Sequence, residues 1–102
     1  MSTTVYISIG NSDDKLTQNE WAHFWTTVDR RIRSYAHVVH GSWVSEATSP
    51  WQNACWCIEV QPDHTKGLRI VLGQAAQAYQ QDSIAWAEAT TEFIAPEGAF
   101  SA

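Results

Sequence analysis

The sequence has little of several features that would identify a function, and positive charge is the first. Of its 102 residues only 6 are Lys or Arg, against 11 Asp or Glu, which gives a formal net charge of -5. Nucleic-acid-binding proteins normally carry the opposite balance because they neutralise phosphates. The one basic cluster, Arg30, Arg31 and Arg33, lies in a helical pattern and is more typical of a solvated helix face. Nucleic-acid binding is therefore disfavoured.

Long apolar runs and glycine-rich phosphate loops are also missing. No segment approaches the length of a membrane span, and residues 1–5 lack the basic start and apolar run of a signal peptide. Gly10 stands alone, outside any dinucleotide or P-loop pattern. The sequence thus predicts a cytoplasmic protein with no membrane segment and no cofactor.

Cysteine is scarce as well, since Cys55 and Cys57 are the only two. Two residues apart on one strand, their Cα atoms would lie about 6.5 to 7 Å from each other, at or beyond the usual reach of a disulfide. Reduced thiols fit this spacing better and agree with a cytosolic compartment.

What is present is sufficient for one packed core. Hydrophobic residues make up 44% of the chain, charged residues 17%, and six residues are tryptophan. A chain of this length and composition is typical of one folded unit rather than of a disordered segment. We expect a single α+β domain over residues 1–95 and a C-terminal tail over residues 96–102.

Two stretches alternate in the manner of strands that have one apolar face. Every second residue is apolar from Ala54 to Val60, with Trp56 near the middle, and the same holds from Val5 to Ile9. The first of these stretches is predicted to be a central strand of the sheet. Less regular strands are predicted over residues 38–44 and 83–89, although residues 85–89 would also fit a helix.

Two helices separate these strands. Thr17 and Glu20 have the spacing of a capping box, so the first helix is predicted to start near Thr17 and to run to about Ala36. Asp63 is predicted to cap the second helix, which ends near Gln80.

The order of the elements predicts a ferredoxin-like βαββαβ two-layer sandwich, with a four-stranded antiparallel sheet and two helices on one face. Right-handed crossovers would place the first and third strands in the centre. Pairing of Ser45 with Ala54 would put Trp43 opposite Trp56, so that both indoles face the helices. The open face of the sheet would then carry a mixture of small and polar residues: Tyr6, Ser8, His40, Ser42, Val44, Cys55, Cys57, Glu59, Ala85 and Ala87. Because such a face is often covered by a second copy, we expect a homodimer through it.

The same topology predicts that three polar segments converge at one end of the sheet, namely the exit of the first strand, the hairpin loop and the turn before the last strand. Loops on a rigid scaffold commonly carry binding residues. Trp51 lies in one of them between proline and two amides, either as a lid over the core or as a stacking platform. The predicted binding residues are Asn11, Asp13, Asp14, Trp51, Gln52, Asn53, Asp82 and Ser83.

These segments also carry a resemblance. The stretches Ile9–Thr17, Trp51–Cys57 and Gln81–Glu88 resemble small uncharacterised proteins of actinobacteria and their phages. The resemblance implies a bacterial or phage origin and, for a phage-encoded chain, action on a host protein. It implies no activity and no site residues.

Some of these residues would suit metal binding or acid–base catalysis, but each also has a structural role that explains it. His40 with Cys55 and Cys57 would supply soft metal ligands, but small buried thiols are the commoner reading and no fourth ligand is evident. His40 and Glu59 would form an acid–base pair or simply a cross-strand contact. The loop carboxylates Asp13, Asp14 and Asp82 would suit magnesium or calcium, or would stabilise a helix start and a turn. We predict no metal site.

Two functions follow from these features. The first is a noncatalytic binding module that recognises a protein or a small polar ligand through the loop end. The alternative is a small hydrolase or isomerase that uses Asp13, Asp14 or Asp82 with His40 or Lys15. No nucleophile motif favours the second.

Overall fold

The computed structural model describes residues 2–11, 15–46 and 51–96. Within these residues, four strands and two helices follow one another in the order βαββαβ. Their bounds are β1 Thr3–Gly10, α1 Gln18–Tyr35, β2 Val38–Val44, β3 Asn53–Val60, α2 Pro62–Ala78 and β4 Ala85–Ala89. All strand pairs are antiparallel and the sheet order is β2-β3-β1-β4, so β1 and β3 are central. The predicted ferredoxin-like arrangement is confirmed.

Helix α1 begins where its capping box requires. Thr17 is the N-cap, its hydroxyl accepts from the backbone N–H of Glu20, and the Glu20 carboxylate accepts from the backbone N–H of Thr17. Two of the otherwise unpaired amides of the first turn are thereby satisfied. Phe24, Val28 and Ile32 form the buried stripe that faces the sheet.

Helix α2 begins differently from the prediction. Its N-cap is Gln61, with no side-chain hydrogen bond, and Pro62 opens the first turn. Proline suits that position because its missing N–H would have no helical partner. Asp63 lies inside the first turn, where its charge still favours the helix dipole, but the prediction that it caps the helix was wrong. The helix ends at Ala78 and the chain turns at Gln80, which has a positive φ of 56°.

Strand β2 is where the predicted register fails. A bulge between Val39 and Gly41 shifts the pairing, so Trp43 lies opposite Cys55 rather than opposite Trp56. Because side chains alternate between faces, a one-residue shift moves Trp43 from the helix side to the open face. Its side chain is 57% exposed, and Ser42 and Val44 leave the open face in exchange.

Strand β4 is a strand and not a helix, and it pairs with β1 so that Trp86 lies opposite Ile7 on the helix side. Residues 90–96, which follow it, have no regular structure, and Phe93 and Ile94 are 92% and 87% exposed. Residues 97–102 of the predicted tail lie outside the described part of the chain. Among the described residues, no helix is long and apolar enough to span a membrane.

The core lies between the sheet and the two helices, with Trp56 at its centre. Trp56 is fully buried, as predicted, and its ring packs against Trp25 at a centroid distance of 5.8 Å. Its indole N–H donates to Asp29 Oδ1 at 2.9 Å, and Asp29 also pairs with Arg33 at 3.0 Å. The indole is therefore buried without leaving its polar atom unpaired.

We predict that Trp56→Ala lowers the free energy of unfolding by about 3–5 kcal/mol, because it removes a large buried ring and leaves a cavity. Trp43→Ala is the matched control and should change it by less than about 1 kcal/mol, since that ring is mostly exposed. Urea unfolding at a protein concentration too low for association measures both values. Equal losses in the two variants would contradict the observed register.

Candidate functional site

The centre of the loop end is Asn11, which is only 3% exposed. Its side chain closes the loop after β1, because its Oδ1 accepts from the backbone N–H of Leu16 at 3.0 Å and its Nδ2 donates to the Leu16 carbonyl at 3.0 Å. Its backbone N–H donates to the carbonyl of Gln52 at 2.8 Å, and its Nδ2 also reaches Gln52 Oε1 at 3.1 Å. Asn11 therefore fixes the β1 exit loop to the start of β3.

Gln52 extends this connection to helix α1. Its Nε2 donates to Gln18 Oε1 at 2.8 Å, and Gln18 Nε2 returns a longer bond to Gln52 Oε1 at 3.3 Å. Gln18 was missing from the predicted site, where its segment was interpreted only as a helix start. Its position as the first helical residue, directly after the cap, places it at the same end as the loops.

The close approach of Gly10 to Asn53 also holds the end of β1 against the start of β3. Gly10 pairs with Asn53, and a Cβ at Gly10 would lie 2.9 Å from Asn53 Oδ1. The backbone N–H of Asn53 donates to the Ser45 hydroxyl, and its Nδ2 donates to the Trp51 carbonyl at 3.3 Å. Trp51 thus stands beside a fixed backbone while its side chain is 58% exposed.

The third segment reaches this end through a charge pair. Lys15 Nζ lies 3.6 Å from Asp82 Oδ2, and the Asp82 side chain is 92% exposed. Ser83 is exposed beside it. The structure therefore brings together Asn11, Gln52 and Asn53 directly, and Asp82 through Lys15. Asp13 and Asp14 lie outside the described residues.

A second polar cluster lies on the open face, at the opposite end of the strands. The Glu59 carboxylate accepts from Thr4 Oγ1 at 2.7 Å and from Ser2 Oγ at 3.1 Å, and its Oε2 lies 2.9 Å from His40 Nε2. The hydrogen bonds from Thr4, and next from His40, hold the pKa of the Glu59 carboxyl below its ordinary value of 4.5. The His40–Glu59 contact is the one predicted, although the bulge and not a regular register produces it.

The cysteines lie on the same face. Both are free, and Cys57 is 7% exposed while Cys55 is half-buried. A hydrogen bond with Cys57, together with the charge that this thiol acquires on ionising, raises the pKa of Tyr6 above its ordinary value. No three His, Cys, Asp or Glu side chains of the described ranges are grouped in a way that could hold a metal ion.

Comparison with known proteins shows the fold. No protein-family model and no curated protein matches the chain. It is similar to the crystal structure of a dimeric ferredoxin-like protein of unknown function from Thermobifida fusca, with a TM-score of 0.59 and 8% identity over 88% of this chain and 92% of that one. It is also similar to the C-terminal domain of the MgtC protein from Mycobacterium tuberculosis, with a TM-score of 0.54 and 8% identity over 86% and 88% of the two chains. The resemblance to actinobacterial and phage proteins stays a prediction.

We predict that Glu59 makes stability depend on acid pH. Because its pKa is lowered in the folded state, it stabilises the fold above the pKa of the unfolded chain, and this contribution is lost as pH falls through the folded-state pKa. The difference in unfolding free energy between wild type and Glu59→Gln should therefore be largest near neutral pH and shrink below about pH 4.5. Urea unfolding over this pH range measures it.

The comparison must be between the two proteins and not between pH values alone. Glu20 also has a lowered pKa, chiefly from its hydrogen bond with the Thr17 backbone, and it acts in the same direction. Glu20→Gln is thus the control for a general acid effect. A difference between wild type and Glu59→Gln that stays constant with pH would contradict the assignment.

Proposed function

We propose that the protein is a noncatalytic binding module that recognises a protein or a small polar ligand through its loop end. The observation that carries this proposal is Trp51, whose large side chain is 58% exposed on a base of hydrogen-bonded amides. An exposed tryptophan offers a broad apolar surface at low cost in conformational entropy, as binding hot spots do. The binding surface comprises Trp51, Gln52, Asn53, Asp82 and Ser83.

Asn11 supports this surface because it lies buried below it and is hydrogen-bonded to Leu16 and Gln52. It is buried and its polar atoms are used within the fold, so it supports the loops and does not contact a ligand. A site held by such bonds loses little freedom on binding, which favours affinity. If the chain is phage-encoded, the recognised partner would be a protein of the host cell.

The open face supports a second part of the proposal, a homodimer. Tyr6 and Trp43 are 42% and 57% exposed there, next to Cys57 and small β4 residues. Exposed aromatic rings on a face with one carboxylate suit burial against a second copy, which would use the same patch twice. The Thermobifida fusca protein, which shares this fold, is itself dimeric.

The enzymatic alternative gains no support from the described residues. Asp82 pairs with Lys15 at the loop end, whereas His40 pairs with Glu59 toward the other end of the open face. A general acid and a general base must both reach the same bound substrate, and these two pairs lie toward opposite ends of the sheet. The binding module therefore remains the proposal.

We predict that Trp51→Ala and Asp82→Ala each weaken binding while changing the melting temperature little. The Lys15–Asp82 pair is exposed, and exposed pairs contribute little to stability. Proteins retained from a bacterial lysate by the immobilised chain, and thermal shifts with small polar ligands, provide the readout.

Trp43→Ala is the matched control, since its ring is 57% exposed but lies on the other surface. A partner retained by wild type and by Trp43→Ala, but lost with Trp51→Ala, would support the loop end. Asn11→Ala should lower the melting temperature instead, because it leaves buried backbone groups unpaired. A Trp51→Ala variant that binds normally but loses stability would make Trp51 a lid over the core.

We further predict a mass of twice 11.4 kDa in solution by light scattering. Trp43→Asp should shift this mass to that of the monomer, because it places a charge in the proposed contact. Trp51→Asp, which adds the same charge at the loop end, should leave the dimer intact. A monomer at high protein concentration would exclude the dimer.

A further inference from the structure

A cleft of about 520 Å³ lies between helix α2 and the chain that leads into β4. Its volume is in the range of small-molecule sites. The side of α2 contributes Arg69, Leu72, Gly73 and Ala76, and the opposite wall includes Ile84 and Trp86. Asp82 and Ser83 form part of its rim, so the cleft opens beside the loop end.

Gly73 is the first indication that this space is used. It lies inside α2, where glycine is among the poorest helix formers, and a Cβ at this position would meet nothing within 4 Å. Gly67 of the same helix is different, because a Cβ there would lie 2.8 Å from Tyr35 Cε1. Packing thus explains Gly67 but not Gly73. Because glycine has no side chain, position 73 leaves the cleft open.

The second indication is the pairing of Arg69 with Trp86. The guanidinium carbon lies 5.3 Å from the centroid of the indole ring, and no carboxylate pairs with Arg69 among the described residues. Stacking holds the guanidinium in place while its planar N–H groups stay free to bind a carboxylate through two parallel hydrogen bonds. The indole N–H of Trp86 is buried and has no acceptor in the part of the chain that the structure describes.

The charged and apolar side chains that line the cleft indicate which class of ligand would fit it. Asp82, the acidic residue of the rim, is 92% exposed and lies 3.6 Å from Lys15, so solvent screens its charge, whereas the Arg69 guanidinium lies against the ring of Trp86 in the cleft wall. Leu72, Ala76 and Ile84 supply an apolar wall. An apolar wall with one cation at its edge complements a molecule that has an apolar body and one negative group.

We propose that this cleft binds a small organic acid with an aromatic or branched apolar body, whose carboxylate pairs with Arg69 and whose body packs between Leu72 and Trp86. The inference deepens the proposed function and rests on it, because Asp82 and Ser83 belong both to the loop-end surface and to the rim. It assigns the ligand class of that end of the molecule.

The test uses phenylacetate and isovalerate as probes, followed by NMR of the Gly73 backbone amide and the Trp86 indole N–H. Both acids should shift these two signals saturably. Phenylacetamide has the same body without the charge and should bind about tenfold more weakly or worse. Phenethylamine, with the opposite charge, and acetate, with no apolar body, should cause no shift.

Two variants locate the site. Arg69→Gln should weaken phenylacetate binding about tenfold, and Gly73→Leu should abolish it by filling the cleft. Gly73→Ala should raise the melting temperature, because position 73 tolerates a Cβ and alanine is the better helix former, and the melting curve of Gly73→Leu itself distinguishes a filled cleft from unfolding. The proposal fails if neither acid shifts the signals at about 10 mM, if the amide binds as well as the acid, or if Gly73→Leu binds normally.

The failure of this inference is distinguishable from failure of the proposed function. A lysate protein lost with Trp51→Ala but retained by Gly73→Leu, together with no binding of either acid, would overturn the cleft and leave the loop-end surface standing. Acid binding that survives in Trp51→Ala and disappears in Gly73→Leu would support the cleft while removing Trp51 from the site.

Discussion

The packing of Trp56 between sheet and helix is the interaction on which the other elements depend. Its ring fills the centre of the core, and its N–H reaches Asp29 on α1, so one side chain fixes both the depth and the rotation of that helix. Arg33 in turn holds Asp29 from the solvent side. A buried hydrogen bond of this kind has one favourable geometry, whereas apolar packing alone tolerates small slides.

The sequence was sufficient for those parts of the fold in which local chemistry and burial agree. The capping box at Thr17 predicts one helix start, because any other start would leave backbone amides without a partner. The alternation in β1 and β3 predicts which face is buried, because the opposite choice would bury polar side chains. Strand β2 is different, since it lies at the sheet edge and most of its side chains are exposed on either face. Hydrophobic alternation therefore did not reveal the extra residue at His40. The bond from His40 to Glu59 is a long-range contact that no local pattern encodes.

In the candidate site, too, some features could be predicted from the sequence and others could not. Its convergence followed from topology, because the end of β1, the start of β3 and the turn before β4 meet at one end of the sheet. The separate roles within it did not follow, since polar composition does not distinguish a buried amide such as Asn11 from an exposed one. Gln18 was overlooked because its partner, Gln52, is 34 positions away along the chain. Side-chain pairs of this kind depend on how the helix docks.

The bulge in β2 also bears on whether the edges of the sheet can be extended by other chains. Both outer strands of the sheet present backbone groups that another chain could extend, and such edges are a known aggregation hazard. Here one edge is interrupted at His40 and the other, β4, is only five residues long. Neither edge offers a long regular template for strand addition. The proposed dimer would instead use the flat side of the sheet, where two copies contact each other through the same patch and assembly stops at a pair.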